Sequence, residues 1–121
     1  MSLKILAVDD SRTMRDMLRI SLTGAGMNVT TANDGVHGLE VLEAFQPDAI
    51  ISDVNMPRLD GFGFIEAVRK IDHLRATPIL MLTTESAPEL KARARNAGAT
   101  GWIVKPFDPQ KLVSSLKMVT G

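Results

Sequence analysis

Cysteine is absent from this chain of 121 residues, which excludes disulfides and thiolate metal sites. An excess of charge of one sign is missing too: Lys and Arg total 14, Asp and Glu total 14, and no Lys/Arg block runs through the sequence. Nucleic acid and anionic membrane are therefore disfavoured as partners. No apolar run approaches the roughly 20 residues that a membrane-crossing helix needs. Met-Ser-Leu-Lys leads into the first apolar run without a signal-peptide core, so a soluble cytoplasmic protein is the expectation. Aromatic residues make up 4% of the chain, too few to sandwich a flavin. With 45% hydrophobic residues, the length suits one domain over residues 1–121 built on a single core.

What the chain does contain is four short apolar runs that each stop at a reactive polar residue. ILAV ends at Asp9-Asp10, AIIS at Asp53, ILML at Thr83-Thr84, and WIV at Lys105-Pro106. Such runs, separated by stretches of helical periodicity, are the pattern of buried parallel strands. The expected strands are 3–9, 27–32, 48–54, 78–83 and 100–104, the second polar enough for a sheet edge. Ser11 can cap a first helix with Met14, Met17, Leu18 and Leu22 on its inner face, ended by Gly24 or Gly26. The Asn33-Asp34-Gly35 turn opens a second helix burying Val36, Leu39, Leu42 and Phe45, with Gln46-Pro47 as its stop. A turn-rich loop, Met56 to Gly61, precedes a third helix burying Phe64, Ile65, Val68 and Ile71. Ser86 to Glu89 has capping-box spacing for a fourth helix, and Asp108-Pro109 starts a fifth with Leu112, Val113, Leu116 and Val119 inward. Alternation of this kind with right-handed crossovers predicts an α/β fold: a doubly wound, five-stranded parallel sheet with five helices, flavodoxin-like.

In an open parallel sheet the ligand crevice lies beyond the strands' carboxyl ends, where these three acids, hydroxyl and lysine converge. Crowded carboxylates disfavour one another's ionisation and call for a cation. Oxygen ligands without His or Cys suit Mg²⁺, which keeps several waters and accepts phosphate oxygens. An ionised Asp beside the metal can attack a phosphoryl group, while Thr83 and Lys105 stabilise its oxygens.

Asp9-Asp10, Asp53 within SDVNMPRLDG, Thr83, and Lys105-Pro106, in this order and spacing, resemble the signature of bacterial response-regulator receiver domains. The similarity covers essentially the whole chain and is greatest to stand-alone chemotaxis regulators of the CheY type. It implies that Asp53 accepts the phosphoryl group, that Asp9, Asp10 and Asp53 serve Mg²⁺ with the Asn55 carbonyl, and that Thr83 and Lys105 contact the phosphoryl oxygens. It also implies a cis bond before Pro106 and a switch-aromatic role for Trp102. Asn55, Thr84 and Glu85 occupy positions that tune dephosphorylation in the family, polar Asn55 and Glu85 favouring fast turnover and Thr84 narrowing access for water or a phosphatase. The implied donor is a phosphorylated histidine on a kinase. The implied target is the flagellar motor switch or the kinase itself, with a phosphate sink or phosphorelay intermediate as the alternative.

Each residue also has a plainer reading. One acid after a strand is usually a helix-start residue favoured by the macrodipole, Thr83 alone is a strand-end hydroxyl, and Lys105 alone is a snorkelling surface lysine. Their shared sheet edge overturns those readings. Trp102 could equally be a core filler. His37 and His73 lack partners at ligand spacing, the methionines of the first helix suit core packing, and Gly61 suits a turn. Helix four has a thin inner stripe, Leu90 with Ala94 and Ala97, while Lys91, Arg93 and Arg95 point elsewhere, so it should shift at modest cost. With the chain ending soon after helix five, output is expected through a partner bound by a monomer. A flavin carrier is opposed by Asp9-Asp10, which would repel a phosphate at the first loop. Aspartyl phosphatases typically use alternating acids after strand one, and a binding module that is never phosphorylated would not need the full set.

Overall fold

The computed structural model describes residues 2–121. The strands are β1 (Lys4–Val8), β2 (Asn28–Ala32), β3 (Ala49–Asp53), β4 (Ile79–Thr83) and β5 (Gly101–Val104). The α-helices are α1 (Arg12–Gly24), α2 (Gly35–Leu42), α3 (Gly61–Arg69), α4 (Pro88–Ala97) and α5 (Pro109–Thr120), with a short 3-10 turn at Asp72–Leu74. All strand pairs are parallel and the order is β2-β1-β3-β4-β5. This is the doubly wound, flavodoxin-like sheet that the alternation predicts.

Side chains alternate across the sheet, so each strand serves two cores. Leu6, Val8, Ile50 and Met81 face α2, α3 and α4, meeting Leu42, Phe64, Ile65, Val68 and Ala94. Ile5, Ala7, Ile51, Leu80 and Leu82 face α1 and α5, meeting Leu18, Leu22, Leu112 and Leu116. Burial on both faces is why these strands read as continuous apolar runs. The chain winds outward from β1 to β2, then crosses back to β3 on β1's other side. The crevice between β1 and β3 is thus the topological switch point.

Several boundaries differ from expectation for identifiable reasons. α2 stops at Leu42, where the Glu43 N–H bonds the Glu40 carbonyl and the Ala44 N–H the Val41 carbonyl, so Phe45 packs partly buried from outside the helix. Ile71 likewise lies beyond α3. Met17 is 46% exposed, because the inner face of α1 is filled by Leu18 and Leu22. The capping box at Ser86 does not form. The residue before a proline is biased out of the α region, so Ala87 stays extended as N-cap and Pro88 takes the first helical position. The thin stripe of α4 is observed: Ala94 is its buried residue, and Leu90 and Ala97 are partly buried.

Candidate functional site

Strand register brings the polar run-ends together. Val8 pairs with Ser52, so Asp9 emerges beside Asp53; Thr83 pairs with Val104, and the Lys105 N–H donates to the Thr83 carbonyl at 2.7 Å. Carboxylate oxygens of Asp9, Asp10 and Asp53 all lie within 4.8 Å of one another. Asp9 and Asp53 are buried and Asp10 is exposed.

Each buried acid is held by named donors. Asp9 Oδ1 accepts from the Ser11 N–H at 2.9 Å, and its Oδ2 accepts from Lys105 Nζ at 3.0 Å. Asp53 Oδ1 accepts from the Val54 N–H at 2.8 Å and lies 3.3 Å from Lys105 Nζ. Lys105 therefore bridges the two carboxylates. Burial, and then the charge of Asp9, push Asp53 up to about 6, with Lys105 and the Val54 N–H opposing the rise. Burial by itself would lower Lys105, but its bond to Asp9 and the charges of Asp9 and Asp53 carry it above the ordinary lysine range. Arg15, which sequence reading passed over, donates through Nη1 to the Asp9 carbonyl at 2.6 Å and anchors the end of β1. Its place one turn into the capped helix was the available signal.

Thr83 ends β4 buried, and its Oγ1 accepts from the Glu85 N–H at 3.3 Å. The Glu85 carbonyl in turn accepts from Trp102 Nε1 at 3.0 Å. Trp102 is thus not a fully buried core filler. It is half-buried and lines a groove together with Lys91 and Arg95. Arg93, expected to lie off the inner stripe of α4, is exposed and stands over the Phe62 ring at 4.1 Å, tying α4 to α3. Asn55 is exposed on the loop two residues past Asp53; Thr84 and Glu85 are exposed beyond β4. The Lys105-Pro106 peptide is cis. His37 lies outside the site, its Nδ1 accepting from the Asn33 N–H at 3.0 Å.

Gly61 does more than turn the chain. Its N–H donates to the Val54 carbonyl at 2.8 Å, and a Cβ there would lie 2.2 Å from the Asp53 carbonyl oxygen. Only glycine lets α3 start this close to the acid-bearing strand end. Chemically, the site offers three carboxylates to a hard divalent cation, with an ammonium 3.3 Å from the buried Asp53 and the buried Thr83 hydroxyl at the end of the neighbouring strand.

A family model described as the response regulator receiver domain matches residues 5–117. Among curated proteins, response regulator MprA of Mycobacterium leprae is 41% identical over 119 residues, covering 95% of this chain and 50% of that one. The probable transcriptional regulator ycf29 of Porphyra purpurea is 33% identical over 117 residues, covering 97% of this chain and 56% of that one. The chain spans about half the length of these curated relatives. Among solved structures, chemotaxis protein CheY4 of Vibrio cholerae superposes with a TM-score of 0.95 at 49% identity, covering 98% of this chain and 99% of that one. The receiver domain of sensor histidine kinase PA1611 of Pseudomonas aeruginosa, described with magnesium coordinated in its active-site cleft, gives 0.92 at 27% identity, covering 100% and 99%.

Proposed function

The chain belongs to the response-regulator receiver domain family, and from that premise we propose that Asp53 accepts a phosphoryl group from a histidine kinase in a Mg²⁺-dependent reaction. The observation that carries this reading is the Lys105 ammonium held between Asp9 and Asp53 beside a third carboxylate. At pH 7 a carboxyl that titrates near 6 is largely ionised, yet more basic than an ordinary carboxylate and so a better nucleophile. An oxygen of Asp53 attacks the donor's phosphorus. An O–P bond forms as the N–P bond breaks, and the electron pair leaves on the histidine ring nitrogen. Asp9, Asp10 and Asp53, with the Asn55 carbonyl, are the residues to hold the metal. When bound, Mg²⁺ neutralises charge developing on the phosphoryl oxygens. Lys105 turns its ammonium from the carboxylates to a phosphoryl oxygen, and the Thr83 hydroxyl donates to another. Asn55, Thr84 and Glu85 border the path of the hydrolytic water and set the lifetime of the acyl phosphate.

Movement of Thr83 toward the phosphoryl group would pull on Glu85 and thereby on the Trp102 indole, remodelling the α4–β5–α5 face that carries Lys91 and Arg95. We assign the chain, as a single receiver domain over residues 1–121, to cytoplasmic signalling by a monomer. Among the described residues no helix is long and apolar enough to cross a membrane. Similarity to CheY4 over nearly the full length of both chains favours chemotaxis, and the flagellar switch is the target this reading carries with it. The longer relative ycf29, a probable transcriptional regulator, supports a second reading, service to a transcriptional regulator.

Intact mass after incubation with acetyl phosphate and Mg²⁺ tests the chemistry. The wild-type protein should gain one phosphoryl group, and neither Asp53→Asn nor EDTA-treated protein should. No gain by the wild type would overturn the assignment. For the output, a flagellar-switch segment should bind more tightly once the site carries a stable phosphoryl mimic; unchanged affinity would refute the motor target.

A further inference from the structure

Two loops beside the site are fastened together by a contact that phosphoryl transfer does not itself use. After β2, the buried Asp34 starts α2, its Oδ1 accepting from the His37 N–H at 2.8 Å. After β3, residues 54–60 form a loop closed at its base by Gly61 N–H donating to the Val54 carbonyl at 2.8 Å. At the tip, Leu59 N–H donates to the Pro57 carbonyl at 2.7 Å, across Arg58 with φ of 66°. Arg58 is the one non-glycine with positive φ among the described residues. This is the rarer, strained form of the γ-turn, which a residue with a side chain occupies only where its surroundings hold it.

Asp34 is what holds it. Arg58 Nε donates to Asp34 Oδ2 at 2.7 Å and Nη2 to Oδ1 at 3.0 Å, a two-bond fork between residues 24 apart. The Gly35 N–H adds a bond to the Leu59 carbonyl at 3.2 Å, and a Cβ on Gly35 would lie 2.6 Å from that oxygen. Asp34 is locked by its cap, whereas the Arg58 side chain is 55% exposed. Between the closed base and this fastened tip lies Asn55. Without the tip, its backbone would be hinged on one side only.

We propose that the Arg58–Asp34 pair is a positioning device that preforms the 54–60 loop and so holds the Asn55 carbonyl ready for the metal. This rests on the assignment of Asn55 as a ligand. Arg58 touches no reactant and acts through the loop backbone. Partners that orient metal ligands typically alter affinity about 10- to 100-fold, and half-exposure of this guanidinium reduces the expectation to roughly three- to tenfold.

The test is Mg²⁺ titration by calorimetry, with amide exchange at Gly35 and Leu59 in metal-free protein. Arg58→Ala should bind Mg²⁺ about three- to tenfold more weakly and exchange both amides faster. Its rate of phosphorylation by acetyl phosphate should match wild type once Mg²⁺ saturates. Arg58→Gly relieves the strain while losing the fork, and should bind Mg²⁺ no more weakly than Arg58→Ala yet more weakly than wild type; full recovery in Arg58→Gly would overturn the proposal in favour of strain alone. Asp34→Asn keeps a competent helix cap, and combined with Arg58→Ala should be no weaker than Arg58→Ala alone. Arg58→Lys, the mildest change, should fall between. If wild type binds Mg²⁺ and every Arg58 variant binds equally well, the positioning role is refuted while the site assignment stands. If wild type itself binds no Mg²⁺, both fall.

Discussion

Replacing Asp53 by Asn should stabilise the metal-free protein at neutral pH. Asp53 is buried, and burial plus the neighbouring Asp9 raise it from 3.8 to about 6. A raised carboxyl binds its proton more tightly when folded than when unfolded. The folded state is therefore favoured below 3.8 and loses that advantage as pH rises through 6. Each pKa unit corresponds to about 1.36 kcal/mol, so holding Asp53 ionised costs on the order of 3 kcal/mol above pH 6. Asn preserves a carbonyl to accept from Val54 and Lys105 but carries no charge, so a gain of about 2–3 kcal/mol is expected, on the order of 10 °C in Tm for a chain of this size. Urea and thermal unfolding in EDTA, followed by circular dichroism at pH 7.5 and pH 4.5, would measure it. The gap should be largest at pH 7.5 and shrink toward pH 4.5, and Mg²⁺ should narrow it at pH 7.5 by binding wild type more tightly. A variant no more stable than wild type at pH 7.5, or a gap that widens on acidification, would refute the electrostatic account.

Lys105→Ala removes the cation that opposes the rise of Asp53, so carbon NMR of the Asp53 carboxyl should place its midpoint higher than in wild type. Gly61→Ala would drive a methyl into the Asp53 carbonyl and should cost on the order of 2 kcal/mol or more in denaturant unfolding; wild-type stability would mean that α3 can move away freely. Trp102→Phe keeps a ring but loses the indole donor to Glu85. About 1 kcal/mol of stability and the amide-exchange protection of residues 84–86 should go with it, and unchanged exchange would rule out that latch. Thr84→Ala, by opening the exposed position beside Thr83, should speed loss of phosphate in a phosphate-release assay, and an unaltered decay would show that Thr84 does not restrict access.

The fold was legible because burial on both faces leaves strands such as ILAV and ILML as unbroken apolar runs, a pattern visible without coordinates. The run-ends were legible for a related reason: parallel strands all finish at one edge, so Asp9, Asp53, Thr83 and Lys105 could be grouped from order alone. What escaped sequence reading were contacts between loops. Nothing local to Arg58 reveals that its fork closes on Asp34, because the pairing depends on how two crossovers settle side by side. Arg15 was harder to read, because its place one turn into α1 was the sole signal and its bond goes to a backbone carbonyl that has no signature of its own. Gly61 announced a turn, whereas its tight approach to Asp53 is a property of packing. At α4, the preference of Pro88 for the first helical position outweighed the polar spacing around Ser86.

The lysine bridging Asp9 and Asp53 gives the acids a counter-ion that is covalently part of the chain. A tethered group acts at an effective concentration in the millimolar range or above, without ever diffusing away. Metal entry would accordingly be an exchange reaction. Its apparent affinity would be the difference between what the acids give a divalent ion and what they already give Lys105, which would keep occupancy responsive to the prevailing ion concentration. The same arrangement holds the ammonium 3.3 Å from an Asp53 carboxylate oxygen before any phosphoryl group arrives. An arriving phosphoryl group finds its cation in place, and no ion need be recruited from solvent for that role.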